Sequence, residues 1–224
     1  MPTSKARDAF DSNIADIITL KNLHEHANGE AETSAELEVL NKSAIVLLTS
    51  FWEAYCEDLA AEALEIIVQN VNDVDVLPKE IRKRVAADLK KEANELAVWK
   101  ISGDRWRDLL RNRLAALQEE RNWKLNTPKH KNIDELFYVA IGLESVSEKW
   151  GWSEKGMSAK DSQDKLDELV SLRGEIAHRG KATTIVTKTQ VWDYAKFVAK
   201  IAAKTGGRVH KHVREATGGV GLWE

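Results

Sequence analysis

The chain has 224 residues, a formal net charge of −3 and a hydrophobic content of 43%, so it is long and apolar enough to bury a sizeable core. It contains no run of 18 apolar residues and no apolar stretch near the N-terminus, which argues against a membrane span and an export signal. A lone cysteine, Cys56, excludes an internal disulfide, and we expect a cytoplasmic protein.

Charge is unevenly distributed along the chain. Residues 1–80 contain 16 acidic and 5 basic side chains, whereas residues 105–131 contain eight basic and three acidic ones. A second basic stretch, residues 204–214, has four basic residues and no acidic one. This asymmetry has two interpretations, a local surface that binds anions or ordinary solvated helix faces.

Apolar residues recur at helical spacing through nearly the whole chain, which has three prolines, and this pattern predicts an all-α fold. A first amphipathic helix covers residues 10–20. A second helix, from Glu38 to about Asn70, is apolar around most of its circumference and is predicted to be the axis of the core. The next helix starts near Pro78, and its apolar face extends to Trp99.

The middle of the chain is basic. Asp104 can cap a helix whose exposed face carries arginines at positions 105, 107, 111 and 113. The segment NWKLNTPKHKN, residues 122–132, cannot easily be helical through its Thr-Pro pair, so we expect a basic loop. A short helix follows, beginning at Asn132 or Asp134.

Two helices are predicted in the last third of the chain. The first begins at Asp161 or Ser162 and stops near Gly180, and the second runs from about Thr189 to Lys204. Residues 183–187 are the sole strand-like segment and are too short to imply a sheet. We therefore expect one helical domain over residues 1–224, with a basic, Gly-rich tail from about residue 206 that is free to move or to dock on a partner.

Arg173 lies in the middle of the apolar stripe of the first of these two helices. A fixed positive charge on a packing face is costly unless a carboxylate, a phosphate or water meets it, so this position requires a partner. His178 is the only nearby side chain that exchanges protons near neutral pH. The two residues lie roughly 140° apart on the helix and about 7.5 Å apart along its axis, so they serve one site only in a groove spanning the helix end or beside a two-fold dimer axis.

This pair of side chains suits the cleavage of RNA by its own 2′-hydroxyl. A neutral histidine accepts the hydroxyl proton, or a protonated one gives a proton to the leaving oxygen. An arginine holds the phosphate oxygens in two parallel hydrogen bonds as charge develops on them. The scheme needs no metal, and the sequence offers no convincing set of metal ligands.

Three segments together resemble the HEPN superfamily (higher eukaryotes and prokaryotes nucleotide-binding), in particular its standalone RiboL-PSP-like branch. They are LLTSFWEAYCEDL at 47–59, NTPKHKNIDELFYVAIGL at 126–143 and LVSLRGEIAHRG at 169–180, which contains the Arg-x4-His motif. The resemblance implies a HEPN-like helical bundle with extra helices and irregular insertions. It also implies a homodimeric, metal-independent endoribonuclease without a cofactor, often a toxin or an abortive-infection effector in antiviral defence.

The resemblance also assigns roles to individual residues. Arg173 would bind and polarise the phosphate, and His178 would act as the acid or base. Many members have an asparagine directly after the arginine, where this chain has Gly174, so one hydrogen bond to substrate is missing unless Glu175 replaces it; Glu175 otherwise faces solvent. Glu53 is the best candidate to meet Arg173, either as a structural ion pair or as a group that tunes Arg173 for phosphate.

The basic loop supplies a candidate RNA-binding set, namely Arg121, Trp123, Lys124, Lys129 and Lys131. Trp123 can stack on a single-stranded base, or it can fold back on the core. The expected partners are RNA, with tRNA as one candidate, a second copy of the chain, and an antitoxin or defence protein; no membrane is expected. The alternative function is a non-catalytic HEPN-like module that binds another protein.

Other conspicuous residues are interpreted as structural. Cys56 is predicted to lie in the core. Four tryptophans are predicted to pack in the core, namely Trp52, Trp99, Trp106 and Trp192. Two histidine pairs lack further ligands at fixed offsets and are predicted to lie on the surface, namely His24 with His26 and His210 with His212.

Overall fold

The computed structural model describes residues 3–27, 34–71, 73–77, 79–103, 105–112, 127–152, 156–179 and 185–224. Its longer helices are α1 (Lys5–Ala27), α2 (Ser34–Asn70), α3 (Lys79–Lys91), α4 (His130–Ile141), α5 (Ala159–Arg179) and α6 (Lys188–Thr217). Residues 105–112 are helical, and short 3₁₀ helices cover Val74–Val76, Glu95–Ile101 and Val146–Lys149. The described ranges contain no strand, only one isolated bridge between Trp152 and Met157, which confirms the all-α prediction.

Helix α2 is the axis of the core, as its apolar circumference predicts. It contacts α1, α4, α5 and α6. Trp52 is fully buried and meets Trp150 edge to face, with ring centroids 5.7 Å apart. Cys56 is also fully buried and unoxidised, and burial raises the pKa of its thiol, as expected of a core cysteine and not of a nucleophile.

Helix α4 begins earlier than predicted because of a contact from another helix. The sequence favours Asn132 or Asp134 as the first residue, but α4 begins at His130. The backbone N–H of His130 donates to the Asp167 carboxylate of α5 at 3.0 Å, so a distant residue caps the helix. Asp134 instead accepts from the backbone N–H and hydroxyl of Ser147, at 2.8 and 2.7 Å.

Helix α5 also begins slightly earlier than predicted, at Ala159. Ser158 caps it reciprocally with Asp161: the Ser158 hydroxyl accepts from the Asp161 backbone N–H, and the Asp161 carboxylate accepts from the Ser158 backbone N–H, both at 3.0 Å. Ser162, the other predicted start, is buried, and its hydroxyl donates to the carbonyl of Trp150. The C-terminal stop signal, Gly180, lies outside the described residues.

The prediction that the last helix ends at Lys204 is wrong. Helix α6 continues through Gly206 and Gly207 to Thr217, and its residues Val209 and Val213 are buried. A Cβ atom on Gly206 would lie 2.8 Å from the Tyr55 hydroxyl oxygen, so packing against α2 requires this glycine. Burial of the apolar face past the glycines stabilises the helix against their low helix propensity.

The C-terminal residues fold back onto α6. The Trp223 ring stacks on His210 with centroids 4.0 Å apart, and Leu222 is buried. His210 is therefore half-buried, and His212 is half-buried against Ile141, which corrects their prediction as surface residues; burial lowers the pKa of both. The His212 ring lies 2.8 Å from the Ile141 carbonyl.

The tryptophans predicted to pack in the core do so where their helix continues as predicted, and not where it ends early. Trp52 and Trp106 are buried, and Trp192 packs partly buried against the core. Trp99 is 66% exposed, so its prediction is wrong. The reason is that α3 ends at Lys91, and the following 3₁₀ helix does not continue its apolar face.

Candidate active site

Helix α5 places Arg173 on its core-facing side. Leu166, Leu169 and Val170, which share that side, are buried, and Arg173 itself is half-buried. Its Nε atom is inaccessible to solvent and has no hydrogen-bond partner among the described residues. An unsatisfied buried donor typically costs about 1 to 3 kcal/mol, so the fold leaves this guanidinium partly unmatched.

Glu53 of α2 interacts electrostatically with Arg173. Glu53 is half-buried, and its pKa is raised to about 7, first by burial and second by the neighbouring carboxylate of Glu57. Arg173 acts in the opposite direction and lowers that pKa, which shows that the two groups interact. Around neutral pH, Glu53 is therefore present both as a neutral acid and as an anion. The anion attracts the guanidinium of Arg173.

His178 lies in the last turn of α5 and is exposed. On a regular helix it is roughly 140° from Arg173, so within one chain the two residues do not share a face. Glu53 thus lies within electrostatic range of Arg173, without an ion pair within 4 Å between them, and His178 lies at the surface.

Gly174 and Glu175 differ in what surrounds them. A Cβ atom on Gly174 would meet no atom within 4 Å, so open space lies beside the residue that follows the motif arginine. Glu175 is half-buried and already interacts within the chain, which corrects the view that it faces solvent. An added side chain at Gly174 would project into the open space.

Part of the predicted RNA-binding loop lies next to α5. Lys129 immediately precedes α4 and is half-buried, and Lys131 in its first turn is exposed. The indole Nε1 of Trp52 donates to the carbonyl of Pro128 at 3.3 Å, which ties this turn to α2. Arg121, Trp123 and Lys124 lie outside the described residues.

One polar pair at this turn, His130 with Asp167, is not apparent from the sequence. The His130 Nδ1 donates to the Asp167 carboxylate at 2.9 Å, and the same carboxylate caps α4. The residues are far apart in the chain, so no local spacing identifies them as partners. The only signal was a histidine inside a basic loop.

The described residues contain no group of three or more histidine, cysteine or acidic side chains placed to hold a metal ion. Among the described helices, none combines the length and the apolar character needed to cross a bilayer.

The protein is an all-α bundle of the HEPN type, with a half-buried motif arginine and a histidine at the end of the same helix. The family model described as RiboL-PSP-HEPN matches residues 8–207, and the chain belongs to this HEPN family. Neither the curated proteins nor the solved structures contain a match to the chain. HEPN proteins are commonly ribonucleases, so membership indicates a nuclease or RNA-related role.

Proposed function

We propose that the protein is a metal-independent endoribonuclease that cleaves RNA through attack by a 2′-hydroxyl. The observation that carries this proposal is the buried Nε of Arg173, which has no partner among the described residues, on a helix whose last turn presents His178. A guanidinium that the fold leaves unmatched gains its missing hydrogen bonds from a phosphate. His178 supplies the imidazole that this reaction needs as an acid or a base.

In the proposed reaction, the 2′-oxygen attacks the adjacent phosphorus and its proton is removed by a base. The bond to the 5′-oxygen breaks, and that oxygen takes a proton from an acid. The products are a 2′,3′-cyclic phosphate and a 5′-hydroxyl. Arg173 stabilises the charge on the non-bridging oxygens, and His178 transfers one of the two protons.

A second copy of the chain completes the proposed site. Arg173 and His178 diverge around α5, and a two-fold axis beside this helix would place two of each around one phosphate. Exposed apolar side chains elsewhere in the described chain, Val39 and Leu47 of α2 and Ile185 before α6, are compatible with a contact between copies.

Glu53 is proposed to regulate Arg173. As an anion it attracts the guanidinium, and as a neutral acid it leaves the positive charge available to a phosphate. Burial and the carboxylate of Glu57 raise the pKa of Glu53 to about 7, although the charge of Arg173 lowers it. This value supports the role because both forms of Glu53 are populated near neutral pH.

Gly174 changes which groups are available to the substrate at the proposed site. The amide that many HEPN members carry at this position is absent, while the open space beside Gly174 is available to substrate. Lys129 and Lys131 are proposed to contact the RNA backbone, as are Arg121, Trp123 and Lys124. We propose a toxin or antiviral-defence effector of the cytoplasm, acting on RNA such as tRNA, with an antitoxin or defence protein as a partner.

The second candidate is a non-catalytic module that binds another protein. The exposed apolar side chains of the 3₁₀ helix after α3 favour it: Leu96 is 68% exposed and Trp99 66% exposed. Such a surface is typical of a protein contact.

The test is cleavage of total RNA and of purified tRNA by the protein in the presence of a chelator. His178→Ala should lower the rate by about 10²- to 10⁴-fold, the usual contribution of acid–base catalysis. Because His178 is exposed, its replacement should leave the melting temperature nearly unchanged. Wild-type protein that leaves both RNAs intact at every concentration would contradict the nuclease proposal and favour the binding module.

A further inference from the structure

The His130 imidazole is held in one orientation by Asp167. The Asp167 carboxylate accepts from the ring Nδ1 at 2.9 Å and from the backbone N–H of the same residue at 3.0 Å. An ionised carboxylate only accepts hydrogen bonds, so Nδ1 carries the hydrogen and Nε2 of the neutral ring is an acceptor. No described residue bonds to Nε2, and the side chain is 14% exposed.

The turn that carries this imidazole is joined both to α5, through Asp167, and to α2 next to Glu53. Trp52, the neighbour of Glu53 on α2, is bonded to Pro128 two residues before His130. On α5, long side chains point back toward the helix N-terminus, so the guanidinium of Arg173 extends in the direction of the turn that carries Asp167, although the two residues lie about 120° apart around the helix.

One side of α5 connects His130 with His178. Asp167 and His178 are about 20° apart around the helix and about 16 Å apart along it, because α-helical residues rotate by about 100° and rise by about 1.5 Å. Between them lie Ser171, which is small and exposed, and Gly174, which has open space beside it. We call Asp167, Ser171, Gly174 and His178 the α5 track. It has few bulky side chains to obstruct a strand lying along it.

We propose that His130 is a specificity-determining residue that accepts a hydrogen bond from an RNA 2′-hydroxyl, at a nucleotide separate from the one cleaved near His178. This inference rests on the proposed function. Phosphate oxygens only accept hydrogen bonds, so a neutral imidazole with Nδ1 occupied cannot donate to them, whereas a 2′-hydroxyl donates. DNA lacks that group, so His130 favours RNA, while Lys129 and Lys131 attract the backbone of either.

The test uses the His178→Ala variant, whose cleavage is expected to be about 10²- to 10⁴-fold slower, and compares its affinity for an RNA and for the all-2′-deoxy strand of the same sequence. The assay is run at pH 8. The informative second change is His130→Asn, because the asparagine amide still donates to Asp167 but offers no acceptor at the position of Nε2. RNA affinity should fall about 2- to 10-fold, as for one hydrogen bond, and DNA affinity should not change.

Lys131→Ala is the matched control. It should weaken RNA and DNA equally and reduce the salt dependence of both affinities. An unchanged RNA-to-DNA ratio after His130→Asn, or an equal loss on both strands, overturns the inference.

A second measurement applies if His130→Asn lowers the melting temperature. Single 2′-deoxy substitutions are moved along the RNA and bound to the His178→Ala protein with His130 intact. One position outside the cleaved nucleotide should account for the preference, and a preference spread evenly over all positions overturns the inference. Cleavage by the wild-type protein is measured in parallel: its absence removes the proposed function, whereas cleavage with an unchanged binding ratio removes only the role of His130.

Discussion

Two helices of this protein each break a rule of helix composition, and the fold treats the two violations differently. Helix α6 carries Gly206 and Gly207 in its interior, and α5 carries Arg173 on its core-facing side. Tyr55 accounts for Gly206, because its hydroxyl occupies the space that a Cβ atom would need and donates to the Ala202 carbonyl. The buried Nε of Arg173 has no such partner in the described chain.

We propose that the difference separates a structural exception from a functional one. A local violation that the tertiary structure satisfies contributes to stability, and a buried donor that it leaves unsatisfied, as at Arg173 and also at Arg82 and Arg208, is a candidate for ligand binding. The following predictions, in order of decreasing effect, test that distinction.

The largest effect is expected for Arg173→Met. RNA cleavage should fall by at least about 10²-fold, the usual loss when a transition-state donor is removed, while the melting temperature stays the same or rises. The reason for the second outcome is that an apolar side chain of similar length removes a buried donor that the fold leaves unpaired. Steady-state cleavage and thermal melting measure the two effects, and a large fall in melting temperature would show that Arg173 is a structural residue.

The next effect concerns stability alone and uses adjacent glycines as a matched pair. Gly206→Ala should lower the free energy of unfolding by about 1 to 3 kcal/mol because the added methyl group collides with the Tyr55 hydroxyl. Gly207→Ala should raise it by about 0.5 to 1 kcal/mol, since a Cβ there meets no atom within 4 Å. Denaturant unfolding of both variants gives the comparison.

Tyr55→Phe provides the control for that pair. Combined with Gly206→Ala, it should recover part of the lost stability because the colliding oxygen is gone. No recovery in the double variant would mean that something other than the hydroxyl requires Gly206.

A pH-dependent effect is expected at Glu53. Its pKa in the folded protein, about 7, lies above the ordinary glutamate value of 4.5, so the folded state binds more protons between these pH values and stability falls as pH rises through them. Glu53→Gln removes this dependence. The variant should match the wild type in melting temperature at pH 5 and exceed it at pH 8; equal melting temperatures at pH 8 would argue against the raised pKa.

The smallest stability effect is expected for Gly174→Asn. Open space beside Gly174 accommodates the new side chain, and asparagine has a higher helix propensity than glycine, so stability should change by only a few tenths of a kcal/mol. If the amide supplies the contact typical of other HEPN members, kcat/KM for RNA should rise. Gly207→Asn on α6, with similar open space and no proposed contact to RNA, is the control and should leave kcat/KM unchanged.

The sequence predicted the elements whose apolar pattern is strong. The core position of α2, the burial of Trp52 and the inward face that carries Arg173 all follow from helical periodicity. The periodicity was misleading where a 3₁₀ helix follows α3, so Trp99 is exposed and not buried. Periodicity reports which face is apolar, but not where the backbone leaves the helix.

The candidate site was predictable only in part. Arg173 and His178 are identified by a motif within one helix, and the interaction between Arg173 and Glu53 agrees with the partner suggested from α2. The pairing of His130 with Asp167 was not predictable, because two helices must pack before these residues meet.

By itself, the sequence determined the class of fold, the central position of α2 and the presence of a charge on the core-facing side of α5. These properties depend on the local alternation of apolar and polar residues, which is encoded within a few turns of helix. Only the tertiary structure decided the ends of α4 and α6, the cap that Asp167 provides and the unmatched Nε of Arg173. Each of these depends on groups far apart in the chain, and whether a buried donor is satisfied is settled only when those groups pack together.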